Sequence, residues 1–157
     1  MRDIGFGFSW FDLPKALGLY ILSYVALTIV WATVRYLHFF WTGSSLQFRD
    51  PKTIFAGASP TLILLYAIAA PVFEETLIRG YLMTELIGLS WPVWLAAIVS
   101  FVLQGTYHLY YGLAGALVVS AGFAILAMYF AISRRLLPVI LAHLFWDLTA
   151  TYMNWPR

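Results

Sequence analysis

Residues 60–89 read PTLILLYAIAAPVFEETLIRGYLMTELIGL, and this run decides the fold class. Most of its positions are apolar, so it predicts a membrane-spanning helix, which needs about 20 such residues. A helix of 30 residues would extend about 45 Å at 1.5 Å per residue, which exceeds the ~30 Å hydrocarbon core of a bilayer. We therefore expect the helix to tilt, to kink at Pro71 or to emerge from the membrane at one end.

The composition places the whole chain in the same class. Of its 157 residues, 62% are hydrophobic and 10% are charged, whereas soluble domains carry about 25% charged residues. We predict a single integral membrane domain over residues 1–157, surrounded by the lipid bilayer. The net charge of +2 arises from few charges and gives no reason to expect a nucleic-acid partner. The chain has no cysteine, which excludes disulfides, thiolate nucleophiles and cysteine-ligated zinc.

Four further apolar runs accompany residues 60–89. They cover residues 15–38, 91–111, 112–132 and 137–153. The pattern predicts an all-α fold, a polytopic transmembrane helix bundle of about five spans in a cell membrane; four spans and a re-entrant segment would also fit it. The run 112–132 has a face of small residues, including Gly115 and Gly122, that suits close contact between helices.

The basic residues do not fix the orientation of the bundle. With five spans, four of them fall on each side, so the positive-inside rule has no bias to act on. One side holds Arg2, Lys15, Arg134 and Arg135, and the other holds Arg35, Arg49, Lys52 and Arg157.

Two adjacent carboxylates and an arginine lie inside the run 60–89. Charge in hydrocarbon is costly, so ionisable groups at that depth are usually functional or paired. Pro71 suits the first turn of a helix, and the glutamates would then lie where the helix dipole favours carboxylates. Glu75 and Arg79 share one helical face and are predicted to pair, or only to neutralise each other at an interface. Glu74 points about 100° away without such a partner, so it is our candidate general base.

Two more polar pairs recur downstream at i,i+4 spacing, which places each pair on one helical face. Gln104 and His108 lie near the end of the third run, and His143 and Asp147 lie in the last. Histidine suits proton transfer near neutral pH. His108 could equally be an interfacial residue beside tyrosines, and His143 with Asp147 could be a self-satisfied pair that locks helix packing. An intramembrane enzyme requires that the three polar clusters meet in one pocket.

The ordered set of motifs resembles the signature of the CAAX-protease and bacteriocin-processing (CPBP) family. The set consists of Glu-Glu-x-x-x-Arg at 74–79, a histidine at 108 near the end of the next helix, and His-x-x-x-Asp at 143–147. The resemblance covers residues 71–147 and implies a multi-pass intramembrane endopeptidase. Position 104 is Gln where the family usually has Phe, and position 147 is Asp where Asn is common.

The resemblance also implies roles for the residues around the nucleophile. Glu74 would activate a water molecule as general base, and His108 would be its partner on that water. Glu75 and Arg79 would support the site.

The remaining pair would stabilise the oxyanion, again as the resemblance implies. An ionised Asp147 cannot donate a hydrogen bond, so it would be protonated or would orient His143. The expected partner is a membrane protein or peptide substrate. Because helical backbone is internally bonded, the cleaved bond is expected in a C-terminal or signal-like segment near a helix break.

Three other interpretations fit the same residues. We expect no cofactor, but glutamate, aspartate and histidine are all acceptable zinc ligands, so a zinc-dependent intramembrane protease is one alternative. A proton-coupled carrier is a second, because acids and imidazoles inside a membrane also form proton relays. A catalytically inactive scaffold that binds membrane partners is the third.

Overall fold

The computed structural model describes residues 5–48 and 57–153. Within these ranges the regular structure is entirely helical, which confirms the all-α class. Four residues used in the orientation argument lie outside the described residues: Arg2, Arg49, Lys52 and Arg157. The ends of the predicted domain 1–157 lie outside them as well.

Six α-helices follow one another within residues 5–48 and 57–153. They are α1 (Asp12–Thr42), α2 (Pro60–Glu75), α3 (Thr84–Gly88), α4 (Val93–Tyr107), α5 (Gly112–Ser133) and α6 (Leu137–Met153). A π-helical segment, Thr76–Met83, joins α2 to α3 without a break, and a 3₁₀ turn, Leu109–Tyr111, leads into α5.

In the part of the chain that the structure describes, three continuous helices are long and apolar enough to cross a membrane. They are Asp12–Thr42 with 31 residues, Pro60–Gly88 with 29 and Leu109–Ser133 with 25. The helices α4 and α6 have 15 and 17 residues, or about 22 and 26 Å at 1.5 Å per residue. The chain is therefore a helical membrane protein, and the count of about five spans stays a prediction.

The expected helix start at Pro71 is wrong. The helix begins at Pro60, where the Ser59 hydroxyl caps it by accepting a hydrogen bond from the Leu62 backbone N–H at 3.3 Å. Serine at the N-cap followed by proline is the stronger start signal. Pro71 lies buried inside α2, as prolines in membrane helices do where neighbouring helices and π-type adjustments compensate for the missing hydrogen bond. The glutamates therefore lie far from the helix N-terminus, and the helix-dipole argument does not apply to them.

The π-helical segment starts directly after the two glutamates. Such segments are rare and frequently occur at functional sites. Here the Thr84 hydroxyl donates a hydrogen bond to the Arg79 backbone carbonyl at 3.2 Å, five residues back. The wider turn changes the register of the side chains that follow Glu75, which a uniform 3.6-residue period does not predict.

The helices pack so that α5 contacts α1 and α4, and α6 contacts α1 and α2, while the π-helical segment contacts α4. The predicted close contact of α5 is confirmed at Gly122, because a Cβ atom there would overlap the Trp146 ring of α6. A Cβ atom at Gly105 of α4 would likewise overlap the Ser120 hydroxyl of α5. These contacts bring α4, α5 and α6 around the polar residues of the helix Pro60–Gly88.

Candidate active site

The buried centre of the site is the Glu75 carboxylate. Arg79 Nη1 lies 3.2 Å from its Oε2 atom, so the predicted ion pair is present. His143 Nδ1 lies 2.8 Å from Oε1, and Gln104 Nε2 donates to the same oxygen at 3.3 Å. Both members of the ion pair are fully buried. A buried charge needs this kind of pairing and hydrogen bonding to be tolerated.

Arg79 is also fixed from the α5 side. Its Nη2 atom donates to the Phe123 backbone carbonyl at 3.0 Å. Its guanidinium carbon lies 5.5 Å from the centre of the Phe123 ring, within the range of a cation–π contact. The Phe123 ring in turn lies 5.0 Å from the rings of both His108 and His143. Phe123 therefore packs between the arginine and the two imidazoles.

The Glu74 carboxylate has different surroundings from its neighbour. It is half-buried, and its Oε2 atom accepts hydrogen bonds from the Tyr107 hydroxyl at 2.6 Å and from Gln104 Nε2 at 3.2 Å. The Gln104 amide thus bridges the two carboxylates. Across the described ranges 5–48 and 57–153, no residue donates a hydrogen bond to the other oxygen, Oε1.

The orientation of His108 is set by its own helix. Its Nδ1 atom lies 2.7 Å from the Gln104 backbone carbonyl. A carbonyl oxygen only accepts, so Nδ1 carries the hydrogen and the Nε2 atom of the neutral ring keeps its lone pair. The imidazole is buried and lies 4.7 Å, centre to centre, from the Tyr107 ring.

His143 is bound more closely to Glu75 than to Asp147. Its Nε2 atom lies 3.7 Å from Asp147 Oδ1, which is too long for a hydrogen bond, whereas the Nδ1 contact to Glu75 is 2.8 Å. The interpretation of His143 and Asp147 as a self-satisfied pair is therefore wrong. The histidine instead connects α6 to the carboxylate of α2.

An apolar cavity of about 740 Å³ lies beside Glu74. Its lining comes from α2, the π-helical segment and α4: Tyr66, Ala69, Ala70, Phe73, Glu74, Leu77, Ile78, Leu103 and Tyr107. Glu74 is the one carboxylate in this lining, so the cavity joins an apolar surface to a carboxyl group.

The structure brings together five of the six predicted site residues through direct contacts or through Gln104: Glu74, Glu75, Arg79, His143 and Asp147. It places the sixth, His108, against Phe123. Within the described part of the chain, no group of three or more histidine, aspartate or glutamate side chains could hold a metal ion.

Three residues of the site are not among the six predicted ones: Gln104, which the helical spacing only pairs with His108, and Tyr107 and Phe123. Tyr107 precedes His108 directly and follows Gln104 by three residues, so helical spacing next to a predicted histidine is a usable signal for it. Phe123 is one of 12 phenylalanines in the chain, and nothing in its local sequence separates it from the others.

A family model described as type II CAAX prenyl endopeptidase Rce1-like matches residues 56–149. The chain belongs to this family. The matched segment contains all six predicted site residues, and the predicted resemblance to CPBP proteases is confirmed. No curated protein and no solved structure matches the chain.

Membership in the Rce1-like family gives the general activity. The chain is a membrane protease, a hydrolase that acts on peptide bonds. Its partner is a membrane-associated protein or peptide substrate.

Proposed function

We propose that this Rce1-like protease cleaves a C-terminal or signal-like segment of its substrate with a water molecule activated by Glu74. The proposal rests on the difference between the two adjacent carboxylates. Glu75 is fully buried and bound to Arg79, His143 and Gln104. Glu74 is half-buried, lines the apolar cavity and keeps one oxygen without a protein donor among the described residues. A general base must reach the proton that it removes, and an oxygen without a protein donor beside the cavity supports Glu74 in this role.

The proposed reaction begins with proton transfer from water to Glu74. The water oxygen bonds to the substrate carbonyl carbon, and the carbonyl π electrons move to the carbonyl oxygen. His108 Nε2 accepts a hydrogen bond from the second hydrogen of the water, because Nδ1 is held by the Gln104 carbonyl. The C–N bond then breaks, and the leaving amine takes the proton from Glu74. The low dielectric of a buried site strengthens these electrostatic interactions.

The oxyanion of the intermediate is assigned to the His143 side of the site. This role requires the imidazolium form of His143, in which both ring nitrogens carry a hydrogen: Nδ1 donates to the Glu75 carboxylate, and Nε2 donates to the developing negative charge. Asp147 Oδ1, 3.7 Å from that nitrogen, attracts the proton and keeps the ring oriented.

The apolar cavity supports a substrate that enters from the membrane. Nearly all its lining side chains are aliphatic or aromatic, which favours an apolar segment or an attached lipid group over a charged peptide. We propose that the chain crosses a cell membrane several times, needs no cofactor and has no nucleic-acid partner.

The experiment that tests this proposal compares two acid-to-amide variants in one continuous helix. Purified protein in lipid nanodiscs is given an internally quenched, farnesylated peptide ending in a CAAX sequence. Glu74→Gln is expected to lose cleavage at least ~100-fold, as the loss of a general base requires. Glu85→Gln, on an exposed position of α3, is the matched control and should cleave like the wild type. Full activity in Glu74→Gln would remove Glu74 from this role.

Substrate trapping extends the test to natural substrates. The Glu74→Gln protein, expressed in cells and purified, should retain uncleaved membrane peptides that mass spectrometry identifies, while the wild type releases them. Cleavage that a chelator abolishes and zinc restores would favour the zinc-dependent alternative. Proton-coupled uptake into liposomes without any proteolysis would favour the carrier, and a phenotype unchanged in Glu74→Gln would favour the scaffold.

A further inference from the structure

Two side chains of α4 converge on a single oxygen of Glu74. The Tyr107 hydroxyl donates to Oε2 at 2.6 Å, and Gln104 Nε2 donates to the same atom at 3.2 Å. Both donors lie on one face of α4, since they are three residues apart. Oε1, by contrast, receives no hydrogen bond from the residues that the structure describes.

We infer that Tyr107 and Gln104 are positioning residues that hold Glu74 by Oε2 and leave Oε1 as the atom that removes the proton from water. This inference rests on the proposed role of Glu74 as general base. A carboxylate with both oxygens free rotates about its last torsion, whereas two donors on one oxygen fix the carboxyl plane. The 2.6 Å contact has the length of a charge-assisted O–H···O⁻ hydrogen bond.

The bridge by Gln104 also ties the reactive carboxylate to the buried ion pair. Its Nε2 atom donates to Glu74 Oε2 and to Glu75 Oε1, and Gln104 is completely buried. The position of Glu74 is therefore fixed relative to Arg79 and His143, which hold Glu75. Loss of either donor should slow the chemical step without removing the apolar lining that binds substrate.

The kinetic test uses Tyr107→Phe, which removes the hydroxyl and keeps the ring that lines the cavity. With the quenched farnesylated peptide, kcat should fall on the order of 10-fold, as expected for loss of a hydrogen bond to a charged group, while KM stays within about twofold. Gln104→Met should also lower kcat. Tyr81→Phe is the matched control, because Tyr81 is 63% exposed on the π-helical segment.

A second measurement does not depend on cleavage. Dicyclohexylcarbodiimide, an apolar reagent, labels carboxyl groups in their protonated form, and mass spectrometry reads the label at each glutamate. Tyr107→Phe should raise the labelling rate of Glu74 several-fold, because Oε2 loses the hydroxyl that covers it. Glu75, paired with Arg79, should stay unlabelled and serves as an internal control. Tyr81→Phe should label like the wild type.

The outcomes separate this inference from the proposed function. Wild-type labelling of Glu74 in Tyr107→Phe overturns the inference, whether or not the peptide is cleaved. Wild-type kcat in Tyr107→Phe, together with an inactive Glu74→Gln protein, overturns the inference alone. An active Glu74→Gln protein overturns the proposed function, even where the labelling result shows that Tyr107 holds the carboxylate.

Discussion

At the scale of residues, adjacent glutamates with the same chemistry lie in opposite environments. Glu75 accepts from three side chains of the π-helical segment, α4 and α6, and Glu74 accepts from α4 alone. The pairing of Glu75 with Arg79 follows from i,i+4 spacing and could be predicted. The contact of Glu75 with His143 spans 68 positions, and no local pattern carries that information.

Arg79 is expected to stabilise the fold more than the reaction. Arg79→Ala should lower the free energy of unfolding by about 3–5 kcal/mol, because Glu75 would keep a buried charge without its cation. The measurement is thermal unfolding in detergent, with Lys15→Ala as the control on an exposed position of α1.

A double variant tests the cause of that loss. Replacing both members of a buried ion pair is less costly than removing one, so Glu75→Gln combined with Arg79→Met should unfold at a higher temperature than Arg79→Ala. An Arg79→Ala protein as stable as the wild type would show that the pair does not support the fold.

At the scale of helices, the apolar runs predict which segments are helical. They do not predict the helix start before Pro71 or the π-helical segment. Both ends of α5 and the start of α6 agree with the predicted runs to within one residue, because Gly112 and the pair Arg134 and Arg135 mark them. The predicted start at Pro71 is wrong, since proline inside a helix looks the same in sequence as proline at its start. The π-helical segment has no sequence signature, and the apolar pattern does not predict it.

The contact between α5 and α6 gives a prediction about glycine. Gly122→Ala should destabilise the protein by about 1–3 kcal/mol, because its new methyl group would overlap the Trp146 ring and overpacking costs this much. Gly18→Ala is the matched control: Gly18 is exposed in α1, and a methyl group added there would have no neighbouring atom within 4 Å.

The Gly18→Ala control also has an expected effect on the free energy of unfolding. Alanine is favoured over glycine in a helix by about 1 kcal/mol, so Gly18→Ala should leave stability unchanged or raise it. Equal loss of stability in the two variants, measured by thermal unfolding, would contradict the packing of Trp146 against Gly122.

At the scale of the entire fold, the N-terminal segment, residues 5–12, packs against the turn between α5 and α6. Arg135 Nη2 lies 2.7 Å from the buried Asp12 carboxylate and donates to the Gly7 carbonyl at 2.7 Å. The Leu136 backbone N–H donates to the Gly5 carbonyl at 3.2 Å. The sequence identifies Arg135 only as a basic residue at a helix end, because its ion pair with Asp12, 123 positions away, depends on how α1 packs against α5 and α6.

The same packing of separate helices assembles the site. The composition predicts a membrane bundle, and the motifs predict which residues converge in it. Which atoms meet depends on the contacts of the helix Pro60–Gly88 with α4 and α6. A direct distance measurement between those helices is therefore the strongest test.

Solid-state NMR can make this measurement, because the chain has only three histidines and three glutamates. Protein in lipid bilayers, with ¹⁵N in the histidine rings and ¹³C in the glutamate carboxyl groups, is examined by rotational-echo double resonance. We expect a strong dipolar coupling that corresponds to the 2.8 Å contact of His143 Nδ1 with Glu75 Oε1, and its loss in His143→Gln. No coupling in the wild type, or a coupling of unchanged strength in His143→Gln, would contradict the convergence of α2 and α6 at one site.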